Sequence, residues 1–222
     1  MNIVFMGTPK YAAKILRALA EAKFKIAAVF TQPDKPVGRK QILTPSEVKI
    51  YAQQHLLAVP IFQPASLKDE AVAAQIKELK PDFIVVAAYG KILPQAVLDI
   101  ALCINLHASI LPKYRGASPI QSALLAGEKQ TGVTAMLMDA GLDTGDMLDF
   151  AYTPCEDKTA AQLFDELGDL AGDLIVRTLL NFTNLTRFLA FIGYLAKGVP
   201  NLLNLEKTEV FLIYISGRDF NV

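Results

Sequence analysis

Short, nearly continuous apolar runs recur along this chain, and they restrict its fold more than any other feature. The first is Asn2-Ile3-Val4-Phe5-Met6-Gly7, and others follow at 25–30, 82–88, 102–106 and 133–138. Runs of this kind are typical of parallel strands that are buried on both faces. Stretches with helical character separate them, near residues 11–22, 46–55, 67–79 and 118–126. This alternation predicts an α/β fold with a mainly parallel sheet and helices on both faces.

Two further elements are predicted in the second half of the chain. Met147 to Tyr152 is an apolar run that follows an acidic loop, and we expect it to return as an antiparallel strand. Thr159-Ala160-Ala161-Gln162 fits a capping box, in which threonine and glutamine side chains bond to each other's backbone amides. We expect this box to open a helix that reaches Leu180.

Composition restricts the compartment and the partners of the protein. No uninterrupted apolar run approaches the roughly 20 residues that a membrane span requires. Lys10, Lys14 and Arg17 interrupt the opening segment, which is therefore unlike a signal peptide. Two cysteines, Cys103 and Cys155, are too few for a disulfide scaffold, and Cys103 is expected as a small buried apolar residue. We therefore expect a cytoplasmic protein with no membrane partner.

Charge is distributed unevenly, although the formal net charge is zero. Residues 1–50 carry nine Lys and Arg against three Asp and Glu, whereas residues 139–173 carry ten Asp and Glu against one Lys. Composition leaves two interpretations open. The basic end is either a local patch that faces phosphates or ordinary solvated surface charge.

Asn105, His107 and Asp143 form the candidate active site. Asn105 and His107 are two positions apart at the exit of an apolar run, so their side chains are expected on one face of a strand. Asp143 lies in a glycine-punctuated acidic loop, 139–146, after another apolar run. An amide donor, a titratable base and a carboxylate that orients the base are the groups used in acyl transfer.

Gly7 follows the first strand, where a dinucleotide fold places its phosphate-binding glycines. Met6-Gly7-Thr8-Pro9 has a single glycine, and Pro9 lacks a backbone N–H donor, so a tight turn into a helix is favoured over a nicotinamide-cofactor loop. Ligands of such sheets bind beyond the carboxyl ends of the strands. Gly7, 88–90 and His107 are all expected at those ends.

Other chemistries match parts of the pattern less well. Ser109 would be the nucleophile of a Ser-His-Asp hydrolase, but no Gly-x-Ser-x-Gly segment accompanies it. A metal site is disfavoured because His55 and His107 are the only histidines and their spacing is poor for ligation. The basic segment 32–40 is either a solvated loop or a contact to a nucleic-acid backbone, since Lys and Arg neutralise phosphates.

Longer motifs, matched in order, carry a resemblance to a known family. They are Phe5-Met6-Gly7-Thr8-Pro9, Gln32-Pro33-Asp34-Lys35-Pro36, Ala88-Tyr89-Gly90, Asn105 through Pro112, Tyr114-Arg115-Gly116-Ala117-Ser118-Pro119-Ile120-Gln121, and Thr131-Gly132-Val133-Thr134 through Asp143-Thr144-Gly145-Asp146. On these motifs, residues 1–180 closely resemble the amino-terminal catalytic domain of the bacterial methionyl-tRNA formyltransferases. The resemblance implies the Rossmann-like formyltransferase fold, and we expect a monomer.

The resemblance also implies a reaction. The formyl group of 10-formyltetrahydrofolate would pass to the α-amino group of methionine on initiator tRNA, with no metal. Asn105 and His107 would stabilise the oxyanion of the tetrahedral intermediate, and His107 would help to move the amine proton. Asp143 would orient His107 and favour its charged form.

Two binding surfaces are implied in the same way. The folate site would be lined by three loops that contain Ala88, Tyr89, Gly90, Ser109, Ile110, Leu111, Pro112, Asp139 and Gly141. The basic loop 33–43 would reach toward the acceptor stem of the tRNA through Lys35, Arg39 and Lys40. Gln41 and Ile42 stand where the family usually has a denser basic cluster, which leaves the strength of the tRNA contact open.

Related enzymes that share the Asn, His and Asp trio are alternatives. Glycinamide ribonucleotide formyltransferases are close to this chain in length but lack a segment of the type found at 114–121. Sugar-nucleotide formyltransferases have that segment, but the segment 32–36 favours tRNA. A folate-binding domain with little tRNA activity is a further alternative.

The resemblance stops after about Leu180. We therefore expect a formyltransferase domain at 1–180 and a non-matching tail at 181–222, either truncated or the product of a frameshift. Within that tail, the segments 188–195 and 210–215 are strongly apolar without the spacing of a complete second domain.

Overall fold

A seven-stranded sheet dominates the described part of the chain. In this computed structural model, residues 1–195 are described, with side chains through residue 184. The strands are β1 (Asn2–Gly7), β2 (Lys25–Phe30), β3 (Lys35–Val37), β4 (Ile42–Thr44), β5 (Ile61–Phe62), β6 (Phe83–Ala87), β7 (Leu102–His107), β8 (Gln130–Leu137) and β9 (Met147–Pro154). The sheet has the order β5-β2-β1-β6-β7-β8-β9, and β3 pairs with β4 in a separate hairpin.

The first five strands of this sheet are parallel, whereas β8 is antiparallel to β7 and β9 is antiparallel to β8. The predicted class, a Rossmann-like and mainly parallel α/β fold, is confirmed. The predicted antiparallel return at 147–152 is also confirmed, as β9. The carboxyl ends of β1, β6 and β7 fall at Gly7, Ala87 and His107, as the apolar runs predict.

Helices lie between the strands along the chain. They are α1 (Lys10–Glu21), α2 (Glu47–His55), α3 (Glu70–Glu78), α4 (Gln95–Leu98), α5 (Pro119–Leu125) and α6 (Ala160–Leu195). Val4 and Met6 of β1 pack in one cluster with Ile76 of α3 and Val97 of α4. Successive strand residues face opposite sides, and the alternate residue Phe5 is also fully buried. Because α1 contacts β1, β2 and β6, both faces of the sheet are covered.

Several elements differ from the sequence-based expectations. The basic segment predicted as a loop contains the hairpin β3–β4, and β5 and α4 were not predicted. The helix expected to reach Leu180 does so and continues to Leu195. Its predicted capping box is present, because Thr159 N donates to Gln162 Oε1 at 2.9 Å and Gln162 N donates to Thr159 Oγ1 at 3.3 Å.

The chain divides into two units, Met1–Ile175 and Val176–Val222. In the second unit, the helix continues to Leu195, and Thr183 Oγ1 donates to the Leu179 carbonyl at 2.9 Å. The predicted apolar segment 210–215 lies outside the described residues. The division at residue 180 stays a prediction.

The basic and acidic ends of the sequence meet within the first unit. Lys10 Nζ lies 2.7 Å from Asp165, Lys14 Nζ lies 2.8 Å from both Asp165 and Asp169, and Arg17 lies 3.0 Å from Asp169. Hydrogen bonds from Lys10 and Lys14 lower the pKa of the Asp165 carboxyl to about 2. These three cations therefore pair with carboxylates of α6, whereas Arg39 and Lys40 of the hairpin turn are exposed.

Gly7 allows α1 to approach the end of β1. A Cβ at this position would lie 2.6 Å from the Ala12 Cβ and 3.0 Å from the Ala87 carbonyl oxygen, both closer than side chains normally pack. A side chain here would push α1 off the sheet. Gly7 thus makes the tight strand-to-helix turn that was predicted in preference to a cofactor loop.

Candidate active site

The side chains of Asn105, His107 and Asp143 meet at the carboxyl-terminal half of β7. Asn105 Nδ2 donates to Asp143 Oδ1 at 3.3 Å, and His107 Nδ1 lies 3.5 Å from Asp143 Oδ2. The side chains of His107 and Asp143 are only 6% and 12% exposed, so their interaction is poorly screened by water. The structure therefore brings the three predicted site residues together, and their roles stay predictions.

Asp143 is held in place by its own backbone and by a neighbouring segment. It has a φ of 53°, in the left-handed region that Asp tolerates better than most residues. Gly116 N donates to Asp143 Oδ2 at 2.9 Å. Both carboxylate oxygens therefore have neighbours: Oδ1 accepts from Asn105 Nδ2, and Oδ2 accepts from Gly116 N and lies near His107 Nδ1. These contacts fix the orientation of the carboxylate toward His107.

The second ring nitrogen of His107 contacts a residue that was not predicted as part of the site. Nε2 lies 2.8 Å from the Tyr114 carbonyl oxygen. A carbonyl oxygen only accepts, so Nε2 carries the proton, and Nδ1 is the nitrogen that faces Asp143. A hydrogen bond of this kind fixes both the orientation and the tautomer of the ring.

Thr134 fastens the loop that follows His107. Its hydroxyl donates to the Ser109 carbonyl at 2.7 Å and accepts from Leu111 N at 3.1 Å, and both bonds are buried. Thr134 is fully buried and pairs with His107 across β7 and β8. It was not predicted as a site residue, although its position opposite His107 follows once the strand pairing is known.

We expect Thr134→Val to destabilise the protein by about 1–3 kcal/mol, because a valine of similar shape leaves a buried carbonyl and a buried N–H without partners. Urea unfolding of wild type and variant measures the difference. Thr131→Val, a buried threonine on the same strand, is the control and should change the free energy of unfolding by no more than about 0.5 kcal/mol. Equal losses in both variants would contradict a fastening role for Thr134.

The residues predicted to line the folate site differ in what they expose. Ala88, Gly90, Pro112, Asp139 and Gly141 are exposed, and Ile110 is half-buried. The side chains of Tyr89, Ser109 and Leu111 are buried, so these three residues offer a ligand only backbone atoms.

Asp139 shapes its own loop, because its Oδ1 accepts from Gly141 N at 2.9 Å and from Thr144 Oγ1 at 2.7 Å. A Cβ on Gly141 would overlap the Thr144 hydroxyl. The turn that carries Asp143 therefore depends on a carboxylate and a glycine that the sequence predicted only as ligand contacts.

The hydrolase alternative based on Ser109 is not supported by the geometry. Ser109 is fully buried, and its Oγ donates to the Lys113 carbonyl at 2.6 Å. Both ring nitrogens of His107 contact other groups, the Tyr114 carbonyl and Asp143. Ser109 therefore lacks the contact with a general base that activates a serine nucleophile.

The predicted nucleic-acid contacts lie on the β3–β4 hairpin. Lys35 Nζ donates to Gln32 Oε1 at 2.5 Å, and Arg39 and Lys40 are exposed in the turn between the strands. Below the turn, Asp34 binds Lys49 at 2.7 Å and Gln63 Nε2 at 2.7 Å, which ties the base of the hairpin to α2. Arg39 and Lys40 are therefore exposed in the turn of a hairpin whose base is fixed to α2.

Within residues 1–195, no group of three or more His, Cys, Asp and Glu side chains is arranged to hold a metal ion. No helix in the same range combines the length and apolarity needed to cross a membrane. The three side chains that meet at β7 are an amide, an imidazole and a carboxylate. This set suits an acyl-group transfer, in which an oxyanion must be stabilised and a proton moved.

Comparison with known proteins identifies the class. The family model described as "Formyl transferase" matches residues 1–179. The chain belongs to the formyl transferase family.

Curated relatives specify the family further. A methionyl-tRNA formyltransferase of Campylobacter curvus is 73% identical over 186 residues, which is 84% of this chain and 62% of that protein. One from Campylobacter jejuni subsp. doylei is 53% identical over 222 residues, 97% of this chain and 73% of that protein, so the second match extends beyond residue 180. The chain therefore spans 62% of the length of the first relative and 73% of the length of the second.

Solved structures of other formyltransferases share the fold. The phosphoribosylglycinamide formyltransferase of Bacillus halodurans is 22% identical, with a TM-score of 0.66 over 81% of this chain and 93% of that one. That of Streptococcus pneumoniae is 24% identical, with a TM-score of 0.65 over 80% of this chain and 96% of that one. At these identities the likeness shows the fold alone.

Proposed function

We propose that this chain transfers the formyl group of 10-formyltetrahydrofolate to the α-amino group of methionine on initiator tRNA. The observation that carries the proposal is the contact of Asn105, His107 and Asp143 at the end of β7, in a chain that belongs to the formyl transferase family. The substrates are proposed from the names of the relatives, methionyl-tRNA formyltransferases at 53% and 73% identity.

The reaction requires one bond to form, one to break and one proton to move. The amine nitrogen attacks the formyl carbon, and the carbonyl electrons move onto oxygen to give a tetrahedral oxyanion. Collapse of this species breaks the bond to N10 of the folate, while a proton passes from the amine to N10. The protein must therefore donate hydrogen bonds to the oxyanion and relay a proton near it.

Each residue of the trio has a role that its contacts support. An asparagine amide has two N–H donors, and Asn105 uses one of them on Asp143, so the other is available for the oxyanion. The proton of His107 on Nε2 is committed to Tyr114, so we assign the proton relay to Nδ1. Asp143 Oδ2 lies 3.5 Å from Nδ1, close enough to stabilise the positive charge that the ring gains when Nδ1 takes the proton.

The folate would bind along the exposed edge formed by Ala88, Gly90, Pro112, Asp139 and Gly141. Ala88, Gly90 and Pro112 follow the carboxyl ends of β6 and β7, where ligands of such sheets bind, and Asp139 and Gly141 lie in the loop that carries Asp143. Backbone groups of Tyr89, Ser109 and Leu111 would supply further contacts, since their side chains are buried.

A direct assay tests the proposal. The purified chain is incubated with 10-formyltetrahydrofolate and charged initiator tRNA, and formyl-methionine is measured after deacylation. Formylation supports the proposal. Folate binding without formylation would instead support a folate-binding domain with little tRNA activity.

The same assay with glycinamide ribonucleotide or an amino sugar nucleotide in place of the tRNA tests the two related enzyme activities. The fold that this chain shares with phosphoribosylglycinamide formyltransferases does not favour either small acceptor, because those structures are only 22% and 24% identical to this chain. Formylation of either small acceptor, with none of the tRNA, would overturn the choice of tRNA.

The hairpin supplies a prediction about tRNA affinity. We expect the double variant Arg39→Ala with Lys40→Ala to raise KM for tRNA by roughly tenfold, because two exposed cations no longer neutralise phosphates. The salt dependence should weaken, with the slope of log KM against log salt falling by about 2. KM for the folate should stay the same.

Lys68→Ala with Lys77→Ala is the matched control, since both lysines are exposed and lie away from the hairpin sequence. It removes the same charge and should leave KM for tRNA unchanged. An equal rise in both double variants would show that net charge, rather than the hairpin, sets the affinity.

A further inference from the structure

The segment Tyr114–Gly116 contacts two of the three trio residues. The Tyr114 carbonyl accepts from His107 Nε2 at 2.8 Å, and Gly116 N donates to Asp143 Oδ2 at 2.9 Å. A shift of these three residues would therefore move the histidine and the carboxylate together.

Tyr114 has a backbone conformation that must be held by its surroundings. Its φ is 58°, in the left-handed region that aromatic residues rarely adopt. Such conformations persist when neighbouring contacts fix them, and they concentrate at functional sites. The carbonyl that meets His107 belongs to this strained residue, so its direction depends on whatever holds Tyr114.

Glu128 holds the side chain of Tyr114. The phenol hydroxyl donates to Glu128 Oε1 at 2.7 Å, and Lys113 Nζ binds the same oxygen at 2.8 Å. Glu128 lies in the turn between α5 and β8, where its backbone N–H donates to the Ala123 carbonyl at 3.1 Å. Hydrogen bonds from Lys113 and then Tyr114 lower the pKa of the Glu128 carboxyl, so the group is ionised and is a strong acceptor.

The geometry points to Glu128 and Tyr114 as a positioning pair for His107. Glu128 fixes the phenol, the phenol fixes the strained backbone, and the Tyr114 carbonyl then keeps the proton of His107 on Nε2. Nδ1 is thereby left facing Asp143. The catalytic consequence rests on the proposed function, whereas the orientation of the ring does not.

Activity measurements test the consequence. We expect Glu128→Ala and Tyr114→Phe each to lower kcat on the order of tenfold with KM unchanged, because a misplacement of about 1 Å at a reacting group is enough for such losses. The double variant should be no slower than either single variant, since both break one chain of contacts. Glu128→Gln keeps an acceptor oxygen for the phenol and should retain most of kcat.

Nitrogen NMR of the histidine rings tests the orientation directly. The chain has two histidines, so His55→Ala assigns the remaining ring signals to His107. At alkaline pH, the wild-type His107 should show the tautomer with the proton on Nε2. Glu128→Ala and Tyr114→Phe should shift these signals toward a mixture of tautomers, and Glu128→Gln should not.

Controls separate positioning from folding and from charge. Lys113→Met removes the other side chain that binds Glu128. Because the Lys113 side chain is 65% exposed, this change should alter neither kcat nor the ring signals. If Glu128→Ala fails to fold, Tyr114→Phe removes only a hydroxyl and still tests the pair.

Ring signals of His107 that do not change in Tyr114→Phe would overturn the inference. So would a Glu128→Gln variant as slow as Glu128→Ala, or additive losses in the double variant. A wild-type chain without formyl transfer would refute the proposed function, while the ring signals would still decide whether the pair positions His107.

Discussion

His107→Ala is expected to reduce the proposed formyl transfer by about 10³-fold or more in kcat. Loss of one oxyanion donor alone commonly costs about 10²- to 10³-fold, and loss of a proton relay contributes about 10²- to 10⁴-fold. The two effects act through one side chain and are not additive, so the total stays well below their product. Single-turnover kinetics with saturating folate and charged tRNA would measure this, because they separate chemistry from product release.

His55→Ala is the natural control, since His55 is the other histidine of the chain and lies at the end of α2, stacked on Tyr51 at a ring distance of 4.7 Å. It should keep the wild-type rate. A His107→Ala variant that folds, as judged by an unchanged melting temperature, and still turns over within tenfold of wild type would refute the role of His107.

Alternation along a strand explains why the trio was predictable. Residues two apart on β7 share a face, so Asn105 and His107 follow from the apolar run around them. The partner acid was expected in the glycine-containing loop 139–146, and Asp143 in that loop contacts both side chains. Site residues that are defined by side-chain chemistry and a fixed spacing can thus be predicted from the sequence.

Backbone contacts at the site were not predictable for the opposite reason. The His107 ring meets the carbonyl of Tyr114, and every residue type has a carbonyl. The sequence of residues 114–116 does not indicate that this carbonyl points toward His107. The direction of the carbonyl depends on the left-handed φ of Tyr114 and on the contact with Glu128. Thr134 was missed similarly, because its position opposite His107 requires the register of β7 and β8.

The sheet shows the same limit at a larger scale. Apolar runs located β1, β2, β6 and β7 within a residue at each end, because burial on both faces leaves a strong compositional signal. The direction of β8 leaves no such signal, because an antiparallel strand can be as apolar as a parallel one. The β3–β4 hairpin was not predicted because Pro36 and Gly38 are residue types that usually indicate a loop.

The charge asymmetry was ambiguous because pairing between residues far apart in the chain cannot be read from composition. Lys14 and Asp169 are 155 residues apart and lie 2.8 Å from each other. Three of the nine basic residues, Lys10, Lys14 and Arg17 on α1, thus pair with two of the ten acidic residues, Asp165 and Asp169 on α6. The cations at Arg39 and Lys40 stay exposed, and the proposed tRNA contact therefore rests on them.

Asp143→Asn is expected to lower kcat by about 10²- to 10⁴-fold while leaving the fold intact. Asparagine tolerates the left-handed φ of 53° and nearly matches the shape of aspartate, so stability should change little. The amide has one acceptor oxygen in place of two, and it must serve donors from both Gly116 and Asn105. Its NH2 group also replaces the negative charge that faces His107 Nδ1 at 3.5 Å.

The measurement compares kcat, KM for folate and melting temperature in Asp143→Asn and Asp146→Asn. Asp146 lies exposed in the same acidic loop, so its variant removes the same charge without touching the trio and should keep the wild-type kcat. Equal losses in the two variants would indicate that the charge of the loop matters rather than its contact with His107. A loss confined to KM for folate would instead place Asp143 in binding, because only an interaction that strengthens in the transition state lowers kcat when it is removed.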